Sequence, residues 1–154
     1  MDTGPTRWLL VSCPENFEIS RGRGFDLAAM KSRHGRKAAK VRAGDTVLYY
    51  LTGRKSIAGM AEVLGPAVES HAPIWTSTRP GKTYPYRFPV RPVSIAANPE
   101  SEVPVEAVVD RLRHASKWPR THWTLAFQGN VHILPEEDHA LLARALGDAV
   151  EAAG

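Results

Sequence analysis

Two strand-length apolar runs constrain the fold most: Thr46-Val47-Leu48-Tyr49-Tyr50-Leu51-Thr52, and Ile57-Ala58-Gly59-Met60-Ala61-Glu62-Val63-Leu64. Runs of β-branched and aromatic residues bounded by turn formers predict strands, and the short connection through Gly53-Arg54-Lys55-Ser56 predicts a hairpin. Ala43-Gly44-Asp45 reads as the turn that feeds it. Further strands are predicted at Trp8 to Ser12, Tyr86 to Ser94 and Val131 to Leu134. In the second of these, Arg87 and Arg91 share a face, while Pro89 and Pro92 withhold ladder donors, which puts the strand at an edge or a bulge.

Helices are predicted where apolar residues fall at helical spacing. Val105, Val108, Val109 and Leu112 mark one from Val103 to His114. A second runs from Glu136 to Ala152, where Pro135-Glu136-Glu137-Asp138 suits a helix start and Leu141, Leu142, Ala145, Leu146 and Val150 form the apolar stripe. A short helix is predicted over Asp26 to Lys31. The order lacks regular βαβ alternation, internal repeats and a linker. It therefore predicts one α+β domain over residues 1–154, built on a small curled or barrel-like sheet rather than a doubly wound one.

A chain of 154 residues can bury roughly two-thirds of its unfolded surface without staples. Cys13 is the sole cysteine, so no disulfide forms within the chain, which suits a reducing compartment. No signal peptide and no run of about 18 apolar residues is evident, so a cytoplasmic protein with no membrane partner is expected. The net charge of +4 is unevenly spread: Arg21, Arg23, Lys31, Arg33, Arg36, Lys37, Lys40 and Arg42 stand against Asp26 alone. Such a basic segment is the footprint of a nucleic-acid binder, or simply a solvated cationic face.

Chemistry-bearing residues gather after the first strand. Trp8-Leu9-Leu10-Val11 breaks into Ser12-Cys13-Pro14-Glu15-Asn16, which reads as a polar turn beside the glycine-flexed loop Arg21-Gly22-Arg23-Gly24-Phe25. That combination suits a pocket for a flat polar ligand attached to a phosphate. Enzyme signatures are missing: there is no phosphate-binding loop, nucleophile elbow or metal motif, and the six histidines are scattered without ligand spacing, so neither metal nor cofactor is expected. Cys13 has no marked histidine and asparagine partners and is read as pocket lining rather than as a nucleophile. Trp75 sits in a polar loop, residues 71–82, where its ring either covers a core edge or stacks on a ligand, and Tyr84 and Tyr86 follow. Rings interleaved with arginines stack on splayed bases at about 1–3 kcal/mol each. Trp118 and Trp123 are expected to pack against the approach to the last strand.

Taken in order, Trp8-Leu9-Leu10-Val11-Ser12, Gly24-Phe25, His34-Gly35-Arg36-Lys37, Gly44-Asp45-Thr46-Val47-Leu48-Tyr49-Tyr50, Tyr84-Pro85-Tyr86-Arg87 and Phe127-Gln128-Gly129-Asn130 resemble the EVE domain of the PUA-like superfamily. The similarity runs from about Trp8 to Leu146. It implies a curled β-barrel sheet flanked by helices and a kinship with YTH domains, which hold a methylated base in an aromatic cage. The implied function is non-catalytic: a reader of a flipped-out modified base, modified cytosine such as 5-methylcytosine, in DNA rather than RNA. Ser12, Cys13, Asn16, Phe25, Trp75 and Tyr84 are the implied base-binding set. Arg21, Arg23, Arg36, Gln128 and Asn130 are the implied phosphate contacts. Two alternatives stand beside this reading. One is a ribonuclease like the related ASCH domains, using Lys31, His34 or Lys37; the other is an RNA-binding PUA-like module indifferent to modification.

Overall fold

The computed structural model of the chain describes residues 4–76 and 83–153; residues 77–82, expected to complete the loop of Trp75, lie outside the described residues. In chain order the elements are β1 (Arg7–Ser12), α1 (Pro14–Gly22), β2 (Leu27–Met30), α2 (Gly35–Ala38), β3 (Thr46–Leu51), β4 (Ser56–Val63), β5 (Val68–Glu69), β6 (Tyr86–Ile95), β7 (Val103–Pro104), β8 (Val131–Ile133) and α3 (Glu136–Ala153). The sheet runs β2-β6-β4-β3-β1-β8, with β5 on β6 and β7 on β4. The predicted hairpin is β3 and β4. Beside it, β1 lies parallel to β3, Trp8 opposite Val47 and Ser12 opposite Leu51.

Both faces of these central strands are covered, which is why their sequences run apolar without alternation. Trp8, Leu10, Val47, Tyr49 and Leu51 point into the hollow of the curled sheet with Phe17, Met30 and Phe88. Their neighbours Leu9, Val11, Leu48 and Tyr50 face outward under Leu142 and Leu146 of α3 and under Trp123 and Phe127. Two register shifts, between Tyr49 and Tyr50 and between Met60 and Ala61, add the local twist that curls the sheet. The proline-bearing β6 thus lies inside the strand order but carries a bulge, where Ser94 and Pro92 pair with successive residues of β4 and Val93 is left out of the ladder.

Curling brings the two end strands together, and Asn130 ties them. Its Oδ1 accepts from Lys31 N, just past β2, at 2.8 Å, while Val11 N of β1 donates to its backbone carbonyl at 2.8 Å. The architecture is therefore the expected α+β half-barrel, flanked by helices.

Three local expectations are corrected. Residues 27–30 form a strand, not a helix, because Ala28 and Met30 alternate inward and the segment pairs with β6. Four residues carry too little helix propensity to resist that pairing. From Val103 to His114 the chain forms β7 and then short 3-10 turns. Successive three-residue turns bury Val105, Val109 and Leu112 as a helix would, and the β-branched valines after Pro104 favour them. The polar stretch after β1 is helix α1: Cys13 is its extended cap, Pro14 takes the first turn and Glu15 faces the helix dipole.

Four histidines make stability depend on pH. His34 is pushed down to about 4, chiefly by burial and then by Arg33, Lys37 and Lys31. Burial likewise lowers His114, His132 and His139. With native values below the unfolded one of about 6.5, the unfolded chain binds more protons as the pH drops, so stability is lost from pH 6.5 downward. The melting temperature is expected to fall between pH 6.5 and 5, above the carboxylate range. A His114→Gln/His132→Gln variant should show a shallower fall; an equal slope would show that these histidines are not its source.

Candidate functional site

The C-terminal end of β1, the first turns of α1, β2, the middle of β3 and the segments around Trp75 and Tyr84 enclose one cavity. Its lining includes Ser12, Asn16, Ser20, Tyr49, Trp75, Tyr84 and Asn130. Residues as far apart in sequence as Leu10 and Asn130 thus meet at one place. The open volume is ≈ 30 Å³, far below the roughly 300–1,000 Å³ of a ligand-filled site.

The narrowness comes from the segment that carries Trp75. Asn16 Nδ2 donates to Thr76 O at 2.7 Å and its Oδ1 accepts from Thr76 N at 2.9 Å, so one amide side chain holds both the N–H and the C=O of a single residue. Trp75 Nε1 donates to Ser20 Oγ at 2.9 Å. The Trp75 and Tyr84 rings meet edge to face, centroids 6.3 Å apart. Behind them, buried Arg87 holds the segment from β6. Its Nε donates to Tyr84 O at 3.0 Å, its Nη2 donates to Ala72 O, and its guanidinium lies 5.4 Å from the Trp75 ring centre. Burial and then Arg23 pull its pKa down, as expected for a cation held by neutral oxygens and a ring face.

Tyr49 enters this cavity from β3. Its hydroxyl is buried and has no hydrogen-bond partner among the described residues, and burial pushes its pKa up. The ring is seated over Gly59 of β4: a Cβ there would stand 3.3 Å from Tyr49 Cδ2 and 2.9 Å from Ile95 Cδ1. Tyr84 is also raised, first by burial and then by Cys13, with the Asn16 hydrogen bond opposing.

The implied site residues fall into separate places. Ser12, Asn16, Trp75 and Tyr84 line the cavity. Cys13 is not among its lining residues; it caps α1 and its carbonyl accepts from Phe17 N. Phe25 lies behind the cavity, because its backbone is in the left-handed region, φ 52°, and turns the ring onto Phe17 at 5.0 Å and Tyr49 at 6.0 Å. Arg21 is tied to Glu18 and to Ala96 O, and Arg23 to Asp26. Arg36 is exposed, Gln128 is exposed near β8, and Asn130 is the buried tie between the sheet ends. Of the ribonuclease set, Lys37 Nζ donates to Val131 O, Lys31 Nζ lies 5.6 Å from the Tyr84 ring centre, and His34, at about 4, is neutral at pH 7. Sequence reasoning missed Tyr49, Ser20 and Arg87. Among the described residues no helix is long and apolar enough to cross a membrane, and no group of His, Cys, Asp or Glu could hold a metal ion.

Comparison with known proteins agrees with this architecture. The chain is 25% identical over 144 residues to a UPF0310 protein of Pyrococcus abyssi, covering 88% of this chain and 95% of that one. Among solved structures it superposes on a complex of the YTH domain-containing protein mmi1 with RNA at TM-score 0.68 and 8% identity, covering 97% of this chain and 85% of that one. A protein from Leishmania major gives TM-score 0.58 at 20% identity, covering 94% and 96%. The family model described as EVE domain matches residues 6–136, so the chain belongs to the EVE domain family.

Proposed function

We propose that the chain is a non-catalytic reader that holds a base turned out of a nucleic-acid strand, a modified cytosine in DNA, in the cavity between Trp75 and Tyr84. The observation that carries this is the convergence around one small cavity of the Asn16 amide, two aromatic walls and Tyr49, whose buried hydroxyl has no partner among the described residues. The likeness in fold to a YTH domain solved with RNA supports a nucleic acid as the partner. Unstacking costs a few kcal/mol, least for a single strand, and ring stacking with edge hydrogen bonds offsets it. The base takes the place of the Thr76 backbone: Asn16, which donates and accepts at once, exchanges the C=O and N–H of Thr76 for an acceptor and a donor on the base edge. A methyl group adds burial of about 1 kcal/mol.

Tryptophan fluorescence titrations with single-stranded oligonucleotides, with and without 5-methylcytosine and as DNA or RNA, test this. Quenching is expected at lower concentration for the modified DNA, and an equal response to modified and plain strands overturns the reader. Tyr49→Phe sharpens the test. Removing an unpaired buried hydroxyl leaves stability equal or slightly higher, yet it should weaken binding of the modified strand by roughly tenfold, the worth of one buried hydrogen bond. Unchanged binding would remove Tyr49 from the site.

A further inference from the structure

Beside the cavity, and sharing Val11 with it, lies a groove of ≈ 770 Å³. Lys31, Arg33, Thr52, Lys55, Gln128 and Gly129 are among the residues that line it, and none of its described lining residues is acidic. The turn between Phe127 and β8 joins the two concavities, since Asn130 faces the first and Gln128 and Gly129 the second. Lys31 belongs to both surroundings: it lines the groove, and its ammonium stands over the Tyr84 ring. Gly129, at φ 88°, keeps the chain low at this point, with Arg33 Nη2 3.7 Å from where a side-chain carbon would be.

Resting on the reading of the cavity given above, we infer that this groove carries the sugar-phosphate backbone on one side of the captured base. Lys31, Arg33 and Lys55 meet successive phosphates, and Thr52 and Gln128 supply hydrogen bonds. A polynucleotide strand is the occupant that fits, because the charged residues lining the groove are all cationic, the groove is far larger than the cavity, and its Lys31 stands over Tyr84, one wall of that cavity. The cations around His34, which help hold it neutral, report the same positive field. Arg21 and Arg23, each paired with a carboxylate, contribute less net charge to any such path.

The test compares the protein with an Arg33→Gln/Lys55→Gln variant, whose melting temperature should match the parent because Arg33 and Lys55 are exposed side chains. Two probes are used: a single-stranded oligonucleotide with one 5-methylcytosine, and the free 5-methylcytosine nucleoside, which has no phosphate. The variant should bind the oligonucleotide on the order of tenfold more weakly at low salt, and the slope of log K against log salt should shrink by about 1.4 for two lost phosphate contacts. Nucleoside binding should not change. An unchanged salt slope and affinity for the oligonucleotide overturn the groove, as does competition by poly-glutamate as strong as that by plain oligonucleotide. If the parent protein ignores the nucleoside while the variant still loses oligonucleotide affinity, the groove stands and the cavity reading falls.

Discussion

Asp45→Ala is expected to lower the melting temperature by roughly 6–20 °C, the largest single-residue effect on stability expected for this chain. The carboxylate is fully buried between β1 and the turn into β3. Its Oδ2 accepts from the Trp8 indole at 2.9 Å and from Arg42 N at 3.2 Å, and its Oδ1 accepts from Thr6 N at 2.8 Å. Truncation leaves three donors without an acceptor, two of them main-chain groups that set the start of the parallel pair. Each buried unsatisfied donor costs about 1–3 kcal/mol, and some water will reach Thr6 and Arg42, so a loss of about 3–5 kcal/mol is expected. At about 2–4 °C per kcal/mol for a chain of this size, that gives the stated shift. Thermal unfolding followed by circular dichroism measures it, and a drop of less than about 3 °C would show that the carboxylate is not the staple described. Asp45→Asn keeps the shape and one acceptor and should fall between.

How far the sequence revealed this molecule depends on which interactions decide each part. The β3–β4 hairpin and α3 were legible because they are local: short-range turn chemistry fixes one, and an amphipathic stripe with a proline start fixes the other. The pairing of β1 with β3 was not legible, since a parallel register is set by contacts across some 39 positions and both strands are apolar on both faces. The same lack of alternation hid Tyr49, whose inward direction follows only from the register. Arg87 was legible as one face of β6, but its burial depends on Ala72, Ser70 and Trp75 folding over it. Asn130 was read as a phosphate contact on a turn, whereas curling of the sheet makes it a tie between the two sheet ends. Residues 103–114 show how one spacing serves two structures, because apolar residues three and four apart suit both a helix and consecutive 3-10 turns.

Trp75→Ala is expected to weaken binding of the modified oligonucleotide by roughly 5- to 150-fold, the equivalent of one base–ring stack at about 1–3 kcal/mol. Its stability cost should be small, because the ring is half-buried and its hydrogen-bond partner Ser20 lies beside a cavity that water can reach once the indole is gone. Trp75→Phe should recover most of the affinity, since a ring face rather than the indole N–H meets the base. The role of Asn16 has a different signature. In the free protein its amide holds Thr76, so Asn16→Ala releases the segment as well as removing the reader. The freed segment offsets part of the lost edge recognition, and total affinity should fall less than for Trp75→Ala. Discrimination between modified and plain strands, measured in parallel fluorescence titrations, should fall in both variants. If Asn16 only latched the segment, its removal would instead tighten binding of every strand by raising the fraction of open molecules. The direction of the Asn16→Ala effect therefore separates a reader from a latch, and the Trp75 pair shows whether the ring stacks on a base or merely packs.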